Sequence, residues 1–135
     1  MKERTLVLIK PDAVRRRLIG EIISRIEKKG YTILQMEMLT MDEEMAERHY
    51  EEHIGKDFFP ALKQFITSGP MVAMVVEGES AISEMRKIAG KTNPLEAAPG
   101  TIRGDLGNFT RENLVHAADS PQNARRELDI FFPNL

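Results

Sequence analysis

Residues 6–9, Leu-Val-Leu-Ile, and residues 71–76, Met-Val-Ala-Met-Val-Val, carry no polar side chain, and each is the length of a strand rather than a helix. Runs of this kind belong in the middle of a sheet, buried on both faces, so most of the rest of the chain must supply cover. The intervening periods fit that demand. Ile19, Ile22, Ile23 and Ile26 recur at helical spacing and lead into Lys28-Lys29-Gly30, where cations followed by glycine suit a helix C-terminus. Residues 32–39 alternate, with Leu34, Met36 and Met38 opposite Gln35 and Glu37, and predict a half-buried strand. Thr40 and Glu43 have capping-box spacing ahead of Met45, Ala46 and Tyr50, and Phe58, Leu62, Phe65 and Ile66 mark a second helical piece.

Ser68-Gly69-Pro70 breaks the chain before the second apolar run, and Ile82, Met85, Ile88 and Ala89 mark a helix ending at Gly90. Residues 90–107 are rich in turn formers and hold Lys91, Thr92 and Arg103, as expected of a long binding loop. A short strand at residues 114–117 precedes Ser120-Pro121, which starts a last helix through Ala124 to Leu128; residues 129–132 are expected to extend again. The result is one α/β domain over residues 1–135, with about four strands and helices between them. Pattern alone leaves two topologies open, a doubly wound parallel sheet and a ferredoxin-like split βαβ sheet.

Composition narrows function by exclusion. A net charge of -2 over 135 residues is not that of a general nucleic-acid binder, so any anion site must be local. The absence of cysteine removes disulfides and thiolate metal sites and points to the cytoplasm. The first apolar run is too short for a signal peptide or a spanning helix, so no membrane partner is expected.

No Walker A, G-x-G-x-x-G or G-x-S-x-G pattern occurs, and a phosphate site would need another design. Lys10, Arg86 and Arg103, with Thr92 as a neutral hydrogen-bonding neighbour, lie near predicted strand and loop ends and offer one. His116 ends the short strand just before the last helix, where rigid elements can hold a nucleophile. Glu127, eleven residues on, could accept a hydrogen bond from one ring nitrogen and leave the other unprotonated. His49-Tyr50-Glu51-Glu52-His53 matches the H-x-x-E-H zinc spacing, but no third protein ligand stands out, and both histidines are expected on a solvated helix face.

The segment Asn113-Leu-Val-His116-Ala117-Ala118-Asp119-Ser120-Pro121 resembles the active-site signature of the nucleoside diphosphate kinases. Lys10-Pro11-Asp12-Ala13, His49-Tyr50, Phe58-Phe59, Ser68-Gly69-Pro70, Thr92-Asn93-Pro94 and residues 99–105, Pro-Gly-Thr-Ile-Arg-Gly-Asp, follow the family order over nearly the whole chain. The resemblance implies a ferredoxin-like domain, a four-stranded antiparallel sheet with helices on one face. It also implies ping-pong transfer of the γ-phosphate from a nucleoside triphosphate to a nucleoside diphosphate through phosphorylated His116, with Mg2+ as cofactor.

By the same resemblance, Glu127 orients His116, with Tyr50 beside it. Lys10 and Asn113 contact the sugar, Lys10 also lying near the transferred phosphate, while Arg86, Thr92 and Arg103 bind phosphates. Phe58 stacks on the base, Leu62 helps shape the slot, and Thr110 lies on the base's opposite side. Magnesium is held mainly by the phosphates, with Asp119 reached through water. The family habit is a homo-oligomer, a tetramer or hexamer built from dimers.

Two positions depart from the pattern: Ala118 replaces the usual serine, removing a hydroxyl near Glu127, and Thr110 replaces an apolar residue. The Ala118 departure defines one rival, an inactive nucleotide-binding or regulatory homologue; the other is a zinc hydrolase using His49 and His53.

Overall fold

The computed structural model describes residues 1–135. Four strands, β1 (Lys2–Ile9), β2 (Thr32–Thr40), β3 (Pro70–Glu79) and β4 (Val115–Ala117), form one sheet in the order β2-β3-β1-β4. Every neighbouring pair is antiparallel, which removes the doubly wound alternative. The helices are α1 (Pro11–Arg15), α2 (Ile19–Lys28), α3 (Glu43–His49), α4 (Phe59–Ile66), α5 (Ala81–Ala89), α6 (Ile102–Leu106) and α7 (Pro121–Phe131), with a 3-10 turn at Glu51–His53. With α2 leading from β1 to β2 and α5 from β3 to β4, this is the ferredoxin-like split βαβ arrangement.

The two apolar runs become the central strands β1 and β3, and alternation sends their side chains to opposite faces. Val7, Ile9, Val72, Met74 and Val76 pack with Ile22 and Ile26 of α2 and Met85 and Ala89 of α5. Leu6, Leu8, Met71, Ala73 and Val75 pack with Ala46, Tyr50, Phe59, Ile66, Leu128 and Phe131. Thus α2 and α5 share one face, as the family resemblance implies, and α3, α4 and α7 add a second layer on the other. An unbroken apolar strand demands both. No helix is long and apolar enough to cross a membrane.

Several local expectations give way to packing. β2 is a sheet edge, and its expected apolar face is open, with Leu34 38%, Met36 56% and Met38 57% exposed. The register breaks between Ile33 and Gln35, so Leu34 has no cross-strand partner. Residues 129–131 continue α7 rather than extending, because Ala124, Glu127, Leu128 and Phe131 keep the helical spacing of a buried stripe. The polar identity of Glu127 hid that stripe. The long loop contains α6, and Pro11 opens the short α1 at its first turn.

α3 is capped by Asp42, not by Thr40, which is the last residue of β2. The Asp42 carboxylate accepts from the Met45 N–H at 2.8 Å, and α3 carries His49 and delivers Tyr50 to the second core. Asp42→Ala is therefore expected to cost about 1 kcal/mol in a denaturant titration, while Asp42→Asn should stay close to wild type. Equal losses in the two variants would assign the effect to something other than the cap.

Candidate active site

The site is built on a strained turn. Leu114 has φ 77°, a left-handed conformation that bulky residues rarely adopt, and the Val115 N–H bonds back to the Asn113 carbonyl at 2.9 Å to close a tight γ-turn around it. Two residues just past the end of β1 pin this turn. The Lys10 N–H donates to the Leu114 carbonyl at 2.8 Å, and the Leu114 N–H donates to the buried Asp12 carboxylate at 3.1 Å. Lys10 Nζ donates to Asn113 Oδ1 at 2.8 Å. From this anchor the chain enters β4, where Leu8 is opposite His116. Pairing puts the His116 ring on the same face as Leu8, toward α3 and α7.

There His116 Nε2 and Glu127 Oε1 are 2.8 Å apart. Glu127 is buried in α7, and burial raises its pKa while Arg126, 3.8 Å from its other oxygen, opposes that rise. The partly buried His116 ring is driven the other way. Desolvation, then Lys10, Arg103 and Arg86, lower its pKa to about 3, against the attraction of Asp119. A neutral imidazole has one N–H and one lone pair, so a Nε2–H given to Glu127 leaves Nδ1 as the basic nitrogen.

The cations converge as well. Arg103, on α6, is buried and donates to three carbonyls: Asn113 at 3.2 Å, Gly90 at 2.8 Å and Val115 at 2.7 Å. Desolvation and Arg86 lower its pKa to about 10. α6 itself depends on Gly104, where a Cβ would run into the Ala98 carbonyl, and on Thr101, whose hydroxyl caps the Gly104 N–H at 3.0 Å. Lys10, buried beside Arg103, falls to about 8 through desolvation first and Arg103 second. Arg86, on α5, reaches the Ala117 carbonyl at 3.4 Å, and with exposed Thr92 it lines an open cleft of about 640 Å³. Asn113 donates to the Thr92 carbonyl at 3.0 Å, tying the loop to the turn.

Phe58 precedes α4 and is half-buried, with Arg111 6.0 Å and Lys56 5.9 Å from its ring centroid. Leu62, one turn on, packs against the second core. Thr110 is exposed in the loop before Asn113. Tyr50 is buried with its hydroxyl unpartnered, and desolvation raises its pKa. Asp119 is exposed before α7 and accepts from Asn123 Nδ2 at 2.6 Å. Ala118 is fully buried with Ile82 and Ala124, yet Glu127 still reaches His116.

The H-x-x-E-H pattern does not form a two-histidine site. His49 is 3% exposed rather than solvated, with its ring centroid 4.7 Å from that of His116, while His53 turns outward between Tyr50 and Phe58. The signal for His49 was present in Ala46, His49 and Tyr50, whose i, i+3, i+4 spacing defines a buried face. Asp12 and Arg126 also went unread as site residues. Arg126 donates to the carbonyls of Arg48 and His49, at 2.9 and 3.3 Å, and links α7 to the end of α3.

Comparison with known proteins is consistent with this geometry. The family model described as nucleoside diphosphate kinase matches residues 3–135. A nucleoside diphosphate kinase from Thermobifida fusca is 61% identical over 133 residues, covering 98% of each chain. One from Methanocaldococcus jannaschii is 59% identical, covering 98% of this chain and 94% of the relative. Among solved structures, a halophilic nucleoside diphosphate kinase from Halobacterium salinarum in complex with CDP superposes with a TM-score of 0.96 at 46% identity, covering 99% of this chain and 90% of that one.

The His116 environment makes a direct prediction. Its folded pKa lies below the ordinary 6.5, so its contribution to stability is full above 6.5 and is lost as pH falls toward 3; burial of Glu127 works in the opposite sense. Ring-nitrogen NMR should show His116 still neutral as the pH falls through the ordinary histidine range near 6.5. A His116 resonance titrating near 6.5 would contradict the burial and cation effects together.

Proposed function

The chain belongs to the nucleoside diphosphate kinase family, a family of phosphotransferases, and we propose that its transfer runs through a phosphorylated His116. The observation that carries this reading is the 2.8 Å contact between His116 Nε2 and Glu127, made within a group of three cations. It leaves a neutral ring whose Nδ1 lone pair can attack the γ-phosphorus of a nucleoside triphosphate. The N–P bond forms as the bond to the β-phosphate oxygen breaks, and the diphosphate departs with the electron pair. A second diphosphate then attacks the same phosphorus with its terminal oxygen, and His116 regains its lone pair.

Positioning and charge do most of the work in phosphoryl transfer. Arg103 supports it best, because three carbonyls fix its guanidinium before any substrate arrives and the remaining N–H groups stay free for phosphate oxygens. Lys10 and Asn113 form a linked pair suited to the sugar, with Lys10 also near the transferred phosphate. Arg86 and Thr92 extend the cation-lined cleft along the remaining phosphates. Glu127 orients His116, and Tyr50 packs edge-on against His49, the ring that meets His116.

The donor set fits magnesium held chiefly by the nucleotide. Asp119 offers an exposed carboxylate beside Arg86, as expected for a hard cation that keeps water and phosphate ligands. Bound there, Mg2+ would neutralise phosphate charge, with Asp119 reached through water. For the base, half-buried Phe58 offers an aromatic face, and Leu62 and exposed Thr110 take the flanking roles that the family pattern gives them. The CDP complex of the Halobacterium salinarum relative supports nucleotide substrates for this chain.

We place the reaction in the cytoplasm, in keeping with the cysteine-free sequence. The open apolar edge of β2, with Leu34, Met36 and Met38, supports a homo-oligomer assembled from dimers, as a tetramer or hexamer. The inactive-homologue reading is not favoured, since Glu127 reaches His116 with alanine at position 118. The zinc-hydrolase reading loses its ligand pair, since His49 and His53 diverge.

Incubation with a γ-labelled triphosphate should give one acid-labile label, mapping to His116 and absent from a folded His116→Ala variant. Label on another residue, or full turnover by that variant, would overturn the covalent scheme. Phe58→Ala should raise KM for every base together, by an amount equivalent to roughly 1–3 kcal/mol of lost stacking. A defect confined to one base would reject stacking as its role.

A further inference from the structure

His49 is the polar group that phosphotransfer leaves unused. It is 3% exposed, and neither ring nitrogen has a hydrogen-bond partner. Buried polar atoms are ordinarily satisfied, so an imidazole with two orphaned nitrogens calls for a ligand. Its neighbours are ligands themselves: one donor atom from each of His49, His116 and Glu127 can be chosen so that all three lie within 4.8 Å of one another.

Two imidazoles and a carboxylate are the donor set of open zinc sites, which hold the metal by three protein groups and keep a fourth position free. Tetrahedral donors about 2.0–2.2 Å from zinc stand roughly 3.4 Å apart, so His49 has to move in while the 2.8 Å His116–Glu127 contact opens slightly. His49 can supply that movement because no hydrogen bond fixes its ring; the rings of Tyr50 and Phe131 merely meet it edge-on, with centroids 4.5 and 5.5 Å away. Magnesium, which prefers oxygen ligands, is a poor match for this set. With no cysteine in the chain, no thiolate competes for a borderline metal.

We propose that His49, His116 and Glu127 form a regulatory site for a divalent zinc-class ion, whose occupation silences His116. The silencing, unlike the binding, rests on the phosphotransfer reading. Its chemistry is a competition for one lone pair. A neutral imidazole that gives its lone pair to a metal keeps its only proton on the other nitrogen. If the metal takes Nε2, that proton moves to Nδ1; if it takes Nδ1, the proton stays on Nε2. In either case no ring nitrogen remains to attack phosphorus, and no electron changes hands.

Zinc chloride titrated into the nucleotide-free full chain, against a chromophoric chelator, should show one tight ion per chain. Cobalt in its place should give the visible bands of a low-symmetry nitrogen-oxygen site. Loss of even an outer-sphere partner weakens metal sites about 10–100-fold, so His49→Gln should lower zinc affinity by roughly a hundredfold. Ring-nitrogen NMR of the unmodified protein, moving His49 and His116 together while His53 stays, tests the same site should that variant fail to fold. Zinc-loaded protein freed of excess metal should refuse label from a magnesium triphosphate, and a chelator should restore uptake.

No stoichiometric zinc, perturbation of His53 alone, unchanged affinity in a folded His49→Gln variant, or labelling of the zinc-loaded protein at the metal-free rate would each overturn the proposal. Absence of labelling in metal-free protein is the distinct result that would instead overturn the phosphotransfer reading, and the zinc titration would still report on the site.

Discussion

The γ-turn at Leu114 is the constraint on which the site depends. A non-glycine residue at φ 77° costs of order 1–3 kcal/mol, and persists only where its surroundings hold it. Here the hold comes from the other end of the sequence: the Lys10 N–H and the Asp12 carboxylate occupy both backbone groups of Leu114. Asn113 enters the turn facing Lys10 and Thr92, and His116 leaves it already in register with Leu8. β4 is only three residues long, too little pairing to define its own position. The clamp supplies what the ladder lacks.

That dependence explains what sequence could and could not disclose. Periodicity located the four strands and the longer helices, because each rule reads residues within one element. The topology came from resemblance, since nothing local distinguishes an antiparallel β1–β3 pair from a parallel one. His116 and Glu127 were legible as a pair because α7 returns the chain within eleven residues. The Lys10–Asn113 bond spans 103 positions and has no local trace. His49 was misread for a different reason: its polarity outweighed its position on a buried face, as with Glu127 in extending α7 too little. α6 was hidden among the turn formers that make it possible, since Gly104 is there to let the chain pass the Ala98 carbonyl.

Charge in the site is arranged against the chain's own average. The protein carries a net charge of -2, yet Lys10, Arg86 and Arg103 gather around one neutral imidazole. Burial first, and repulsion by neighbouring cations second, lower the pKa of Lys10 and Arg103, which is the electrostatic cost of assembling cations without their counterion. A triphosphate entering this cluster would relieve that repulsion. Burial and the same field lower the His116 pKa, so the groups suited to binding phosphate also help keep the imidazole unprotonated.

Position 118 shows how the support of Glu127 can be redistributed. Where the family pattern has serine, Ala118 is fully buried against Ile82 and Ala124, and no hydroxyl is available to hold the carboxylate. The cation beside it is Arg126, 3.8 Å from Glu127 Oε2. Arg126 is not loose: it donates to the carbonyls of Arg48 and His49, at the end of α3 where outward-facing carbonyls favour a cation. Restraint therefore runs from α3 through Arg126 to Glu127 and on to His116, whereas a serine hydroxyl would act from the strand end itself. The Asp42 cap at the start of α3 and the His116–Glu127 contact beyond its far end belong to one mechanical unit, and the alanine shifts orientation of His116 onto the docking of α3 against α7.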